Sequence, residues 1–395
     1  MLSREQAIKQ RLDAIREEMK KQDLNLLIVS RPVNVFYYSD FNPLNYSMLS
    51  FVLIPAEGEP TLLLQAIRGP RANQYSGLRN IKLYGKWSDN PSVAKDPMEA
   101  ISILVKEYGL GELRVGAELN FLTYSIYTKL CKAVGVESMT DISALIDSQK
   151  AVKDELTIDR IRVGAKLANC GMDALIAALR EGKSEIAACN ESKRAMWELY
   201  IDKYSDYTIV GFGSPDASIY DTLSATCTSG IRTSYGACDP INVVPQKGEL
   251  VLPIVTTKIS GFSVENERSL YVGELDDYRS KAFHTVLEAR QAVFEKIRPG
   301  ELFSNLYKAA ADVFIKNGFE SFLPGRIGHG IGLTNHEAPS VAPAYEIEIK
   351  PGMVFTVEPG LMSASFGGVR PSDTVLATED GYELLTNTES GFLKI

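Results

Sequence analysis

The stretch Gly328-His329-Gly330-Ile331-Gly332-Leu333-Thr334-Asn335-His336-Glu337-Ala338-Pro339 contains two of the three histidines in the chain. Glycine on both sides of His329 lets the backbone approach a neighbour closely, or take up dihedrals closed to other residues. A histidine so placed is not a packing residue on an apolar stripe, and the bland alternative is a glycine-rich turn. His284, mid-helix among charged residues, reads as a surface residue.

Acidic residues flank this stretch in sequence. In Ser263-Val264-Glu265-Asn266-Glu267-Arg268, Glu265 and Glu267 are two apart, so on a strand both face the same way. Like charges so crowded need a cation, a metal or an arginine close by. In Met353-Val354-Phe355-Thr356-Val357-Glu358-Pro359-Gly360, a lone carboxylate ends an apolar strand, where burial without a partner is costly. Separately, an exposed edge strand accounts for either.

Taken in order, GHGIGLTNHEAP, PGMVFTVEPG and GGVRPSDTVLATEDG closely resemble the pita-bread superfamily, in its Xaa-Pro peptidase and creatinase branch. Lys247-Gly248-Glu249-Leu250-Val251-Leu252 and Gly261-Phe262 resemble the same family's first catalytic hairpin. The resemblance implies an α+β pita-bread catalytic domain over residues 149–395. It also implies an α/β accessory domain of the creatinase N-terminal type over residues 1–148, and a homodimer in which each accessory domain covers the partner's site.

The resemblance implies metal ligands as well, and here the chain departs from its relatives. Of five family ligands for two ions, the first falls on Ile254 and the last on Ser372, neither of which suits the task. Glu265, His329 and Glu358 remain at the other three. Creatinase, the metal-free member, lacks the same kind of ligands, and its two guanidinium-holding glutamates align with Glu267 and Glu358. Its catalytic histidine aligns with Cys238, and its carboxylate-binding arginines align near Met48 and with Ser340.

Cys238 is therefore a candidate nucleophile or proton carrier beside His329, against the alternative of a small buried residue. His336 is a second proton carrier. Arg232 is a candidate replacement for the lost anion contact, the alternative being a solvated arginine. Tyr46 is a candidate wall of the substrate pocket.

Around these motifs the chain reads as two regions. The first opens with a capped amphipathic segment, in which Ser3 and Gln6 have capping-box spacing and Ile8, Leu12, Ile15 and Met19 recur at helical steps. Strand-like runs at 24–29, 48–54, 61–65, 81–84 and 113–117 alternate with helical patterns at 97–108 and 121–134, the signature of an α/β domain. Beyond 150, long helical patterns at 155–180 and 183–204 precede apolar runs at 207–212, 222–228, 250–259 and 262–272. Helices at 277–297 and 302–317 follow, and then short strands with glycine-rich turns, an α+β order.

Composition narrows the function classes. Over 395 residues, 42 basic against 50 acidic side chains leave a formal charge of −8, the wrong sign for a nucleic-acid binder. No uncharged apolar run approaches the ~18 residues that span a bilayer. The charged start MLSREQAIKQRLDAIREEMKKQ does not read as a signal peptide. Five scattered cysteines without a CxxC pair suit a reducing compartment, so the cytoplasm is expected.

Three readings follow. The first is a metal-independent, creatinase-like hydrolase of a C–N bond in a small guanidino, amidine or amine substrate. In it Glu267 and Glu358 hold the cationic group with Glu265 contributing, His329 and His336 move protons, and no cofactor is needed. The second is a single-metal Xaa-Pro peptidase with Mn or Zn on Glu265, His329 and Glu358. The third is a binding protein that keeps the fold without catalysis.

Overall fold

The computed structural model describes residues 2–44, 48–209, 211–212, 222–236 and 238–395. These cluster into two compact units, one ending at Lys150 and one beginning at Ala151, apart from Phe212, which groups with the first.

The first unit opens with α1 (Arg4–Lys21). Its capping box is formed on both sides, and Ile8, Leu12, Ile15 and Met19 are buried. Next come β1 (Leu26–Val29), α2 (Pro32–Ser39), β2 (Phe51–Pro55), β3 (Thr61–Gln65), α3 (Gly69–Tyr75) and β4 (Ile81–Tyr84). Then follow α4 (Pro97–Tyr108), β5 (Val115–Ala117), α5 (Tyr124–Val134), β6 (Thr140–Asp141) and α6 (Ser143–Ala151). The sheet order is β4-β3-β2-β1-β5-β6, with β1 antiparallel to β2 and parallel to β5. All four residues of β1 are buried, as a central strand covered on both faces requires. Leu26, Ile28, Phe51 and Leu53 share a core with Ile101 and Leu104 of α4 and Leu130 of α5. Helix α5 starts later than the pattern at 121 suggests, because the Thr123 hydroxyl caps it by accepting from the Ile126 amide at 3.3 Å.

The second unit begins with α7 (Glu155–Arg180) and α8 (Glu185–Lys203). Strands β7 (Leu223–Ser229), β8 (Leu250–Ile259), β9 (Phe262–Glu267) and β10 (Leu270–Tyr271) follow, then α9 (Asp277–Phe294) and α10 (Phe303–Lys316). The chain closes with β11 (His329–Gly330), β12 (Glu337–Ser340), β13 (Val354–Val357), β14 (Leu361–Ser363) and β15 (Gly367–Val369). After these come β16 (Ser372–Thr378), β17 (Gly381–Leu384) and β18 (Leu393–Lys394). A ten-stranded sheet runs β12-β11-β13-β16-β9-β8-β10-β18, with β17 on β16 and β7 on β8. This is the pita-bread architecture. The long α7 crosses the β8–β9 hairpin, where the Thr257 hydroxyl donates to the Gly164 carbonyl at 3.0 Å. Phe283, Phe303, Phe314 and Phe355 form the core between α9, α10 and the sheet.

Two of the strand expectations change. The run at 262–272 is broken into β9 and β10 because Arg268 turns its buried guanidinium inward. It donates to the carbonyls of Glu267 (2.7 Å) and Ser372 (3.1 Å) and to Asp373 Oδ1 (2.9 Å). The described part of 207–212 forms no strand, and the Tyr207 hydroxyl donates instead to Asp159 at 2.8 Å. Among the described residues, no helix is long and apolar enough to cross a membrane.

Candidate active site

His329 sits where β11 is squeezed between its neighbours. A Cβ on Gly328 would lie 2.1 Å from the Thr356 carbonyl oxygen, and one on Gly330 2.6 Å from that of Ala338. Glycine on each side is thus a requirement of close approach. The His329 amide donates to the Thr356 hydroxyl at 3.0 Å, which fixes the backbone. Its Nδ1 lies 3.1 Å from the Gly330 carbonyl oxygen. A carbonyl only accepts, so Nδ1 carries the proton and Nε2 of the neutral ring presents a lone pair. The ring is 1% exposed, and burial above all pushes its pKa down to about 3. Glu358 Oε1 is 3.3 Å from Nε2, yet among the described residues Nε2 has no hydrogen-bond partner, because the two atoms are not aligned for one.

Three carboxylates gather at this site, two from β9 and one from the residue after β13, and those of Glu265 and Glu358 come within 4.8 Å of the His329 donor atom. Glu358 follows β13, its amide held by the Ile327 carbonyl at 2.8 Å. Glu265 and Glu267 lie on β9, both buried, on the same face as expected. Ser372 donates to Glu265 Oε1 at 2.7 Å. In the sheet register Glu267 faces Ile254 on one side and Ser372 on the other, so the three form a single row across β8, β9 and β16. Burial, reinforced by the charges of Glu265 and Glu267, pushes Glu358 up to about 8. Burial also raises Glu265 and takes Glu267 to about 7, the latter against the pull of Arg370.

Arg370 is the internal answer to this crowding. Its Nε and Nη2 reach Glu267 Oε2 and Oε1 at 2.8 and 2.9 Å, a two-pronged pair that holds the guanidinium charged. Glu267 therefore already has its cation. This corrects its assignment to a substrate's cationic group.

The site opens into a cavity of about 820 Å³ whose lining includes Cys238, Glu265, Glu267, His336 and Glu358. The His336 ring stands edge-on to His329, with centroids 4.4 Å apart. Burial, then Arg326 and Arg370, lowers its pKa, so the ring is neutral near pH 7. Cys238 Sγ is turned toward the Asp239 carbonyl at 3.7 Å. Arg232 does not line the cavity. Its guanidinium is bound by the buried Glu185 carboxylate and by the Asp239 carbonyl at 3.2 Å, which corrects its assignment as an anion contact. Tyr46 lies outside the described residues. Sequence reasoning missed Arg326 and Arg370, both lining residues. Arg370 carried a readable signal, since two glutamates on one strand face called for an arginine.

One divalent ion suits these side chains. Donor atoms of Glu265, His329 and Glu358 lie within 4.8 Å of one another. The Nε2 lone pair, without a partner among the described residues, and the two carboxyls that burial pushes up in pKa are what a cation would satisfy. A second ion lacks ligands, because Ile254 and Ser372, which stand in one row with Glu267, offer no carboxylate.

Fold and donor set together fit a hydrolase with side chains suited to a divalent ion. Residues 159–379 match the metallopeptidase family M24, and residues 11–152 match the creatinase/prolidase N-terminal domain. The chain belongs to the metallopeptidase family M24, and is a hydrolase acting on C–N bonds. An uncharacterized peptidase of Staphylococcus saprophyticus is 26% identical over 381 residues, 96% of this chain and 99% of the relative. A Bacillus subtilis protein, YkvY, provisionally called a dipeptidase, is 25% identical, covering 95% of this chain and 97% of the relative. In fold, the chain is similar to an Xaa-Pro dipeptidase from Bacillus anthracis (TM-score 0.81, 21% identity, 98% of this chain and 100% of that one).

These findings overturn the metal-free, creatinase-like reading. The catalytic domain matches a metallopeptidase family, and the relatives that span nearly the whole chain carry peptidase names. Without the residues at 254 and 372, the site still offers a buried imidazole and two carboxylates, the donor types of a divalent ion.

Proposed function

We propose that this protein hydrolyses short peptides of the Xaa-Pro dipeptide kind, using a single divalent ion, Mn or Zn, held by Glu265, His329 and Glu358. The observation that carries the reading is the His329 Nε2 lone pair, buried and, among the described residues, unpartnered, with two carboxylates converging on it. When bound, such an ion supplies Lewis acidity toward the scissile carbonyl and acidifies a water.

The protein's own groups supply the rest. The Gly330 carbonyl fixes the His329 tautomer, so Nε2 is always the donor atom. Neutral His336, facing the cavity, takes a proton from the attacking water and returns it to the leaving amine nitrogen. The two-pronged Glu267–Arg370 pair braces the cavity wall beside the proposed ligands. Cys238 is a wall residue in this scheme, since water is the nucleophile. We also place the protein in the cytoplasm, which its five free cysteines support, and as a homodimer, which rests on family likeness.

The test is elemental analysis of dialysed protein, with Ala-Pro and creatine assayed before and after chelator. About one ion per chain and chelator-sensitive cleavage of Ala-Pro are expected. Chelator-resistant turnover would refute the proposal, and two ions per chain would refute its single-ion form.

A further inference from the structure

Strand β16 carries two hydroxyls two residues apart, Ser372 and Thr374, so both lie on one face of the strand. Both side chains are fully buried. The antiparallel register sets Ser372 opposite Glu267 and Asp373 opposite Asn266, and the next step of the ladder brings Thr374 to Glu265. Both hydroxyls serve Glu265. Thr374 holds its main chain, donating to the Glu265 carbonyl at 2.7 Å and accepting from the Glu265 amide at 3.2 Å. Ser372 holds its side chain, donating to Oε1 at 2.7 Å.

The serine has one proton to give, and β9 offers it two carboxylates. Glu267, directly across, has both oxygens engaged by Arg370. The Ser372 hydroxyl therefore passes its direct neighbour and reaches the diagonal one. Among the described residues the Glu265 carboxylate receives no other hydrogen bond, so Oε2 is left over. A glutamate side chain has several rotatable bonds, and an ion that met it unfixed would bear the cost of ordering them. With the main chain clipped by one hydroxyl and Oε1 tied by the other, that ordering is completed when the protein folds.

We infer that Ser372 is a positioning residue for the proposed ion, presetting the Glu265 carboxylate so that its remaining oxygen faces the His329 and Glu358 donors. This deepens the proposed function and rests on it. The serine itself touches neither ion nor substrate in this scheme, and acts through Glu265 alone. Hydrogen-bonding partners of this kind fix the direction of a ligand and raise the affinity of the site.

The experiment is titration of the full chain with Mn2+ at pH 8, the unbound ion being counted by its electron paramagnetic resonance signal. Ser372→Ala, which removes only the hydroxyl oxygen, should weaken binding roughly 10- to 100-fold. Ser372→Thr keeps the hydroxyl and should stay within about threefold of native. In Glu265→Ala, where binding is weaker from the start, adding Ser372→Ala should weaken it no further, the non-additivity expected of a residue that acts through another. Native-like affinity in Ser372→Ala would overturn the inference. An equal loss in both backgrounds would overturn it too, because the serine would then act on the fold at large. Failure of the single-ion reading has a different signature, and takes the inference with it: the native protein would bind no Mn2+, or would bind it just as well after Glu265→Ala.

Discussion

Glu358 shows how a single residue governs the chemistry. Its carboxyl stands near 8 in the folded protein against an ordinary 4.5. Without a cation, the folded state between these values holds a proton that the unfolded chain has released, so stability falls as pH rises from 4.5 to 8. A divalent ion must displace that proton, and its affinity should weaken by up to tenfold for each pH unit below about 8. Calorimetric titration with Mn2+ at pH 6, 7 and 8 checks this, and a flat affinity would remove Glu358 from the ligand set. The Glu267–Arg370 pair makes a second prediction. Arg370→Met leaves a buried carboxylate unmatched and should cost about 3–5 kcal/mol in urea unfolding. Adding Glu267→Gln to Arg370→Met should recover most of that loss, a coupling that a double-mutant cycle measures.

At the scale of elements, the site is a product of strand register. Ile254, Glu267 and Ser372 are neighbours only because β8, β9 and β16 align them, and β11 brings in His329 through the gap its glycines leave. Gly330→Ala would force the Ala338 carbonyl away from a Cβ 2.6 Å off. It should weaken Mn2+ binding by tenfold or more while the far-UV circular dichroism stays native. Ile254→Asp with Ser372→Glu should raise bound metal toward two ions per chain, read by elemental analysis. The helices and most strands were legible from hydrophobic period and cap chemistry, as α1 with its Ser3–Gln6 box shows. The motif around His329 was legible because glycine spacing leaves few structural explanations. The partners of the charges were not. Arg232 meets Glu185 across 47 residues of chain, and Arg370 meets Glu267 across 103, distances over which only the fold decides. Arg326 looked like any surface arginine, since nothing in its sequence neighbourhood shows that it borders a cavity.

For the whole molecule, all the proposed ligands belong to the unit that begins at Ala151. An ion that binds only the folded form stabilises it by about 2.7 kcal/mol at a hundred times its Kd. Scanning calorimetry with increasing Mn2+ should therefore raise the transition of that unit. The transition of the unit ending at Lys150 should move little if the two unfold separately. The donor set has a consequence for supply. With one proposed ion site, on Glu265, His329 and Glu358, occupancy follows a simple hyperbola in free ion concentration. Half-activation then comes at a single dissociation constant with a Hill coefficient of one, and activity fades gradually, without a threshold, as the ion becomes scarce.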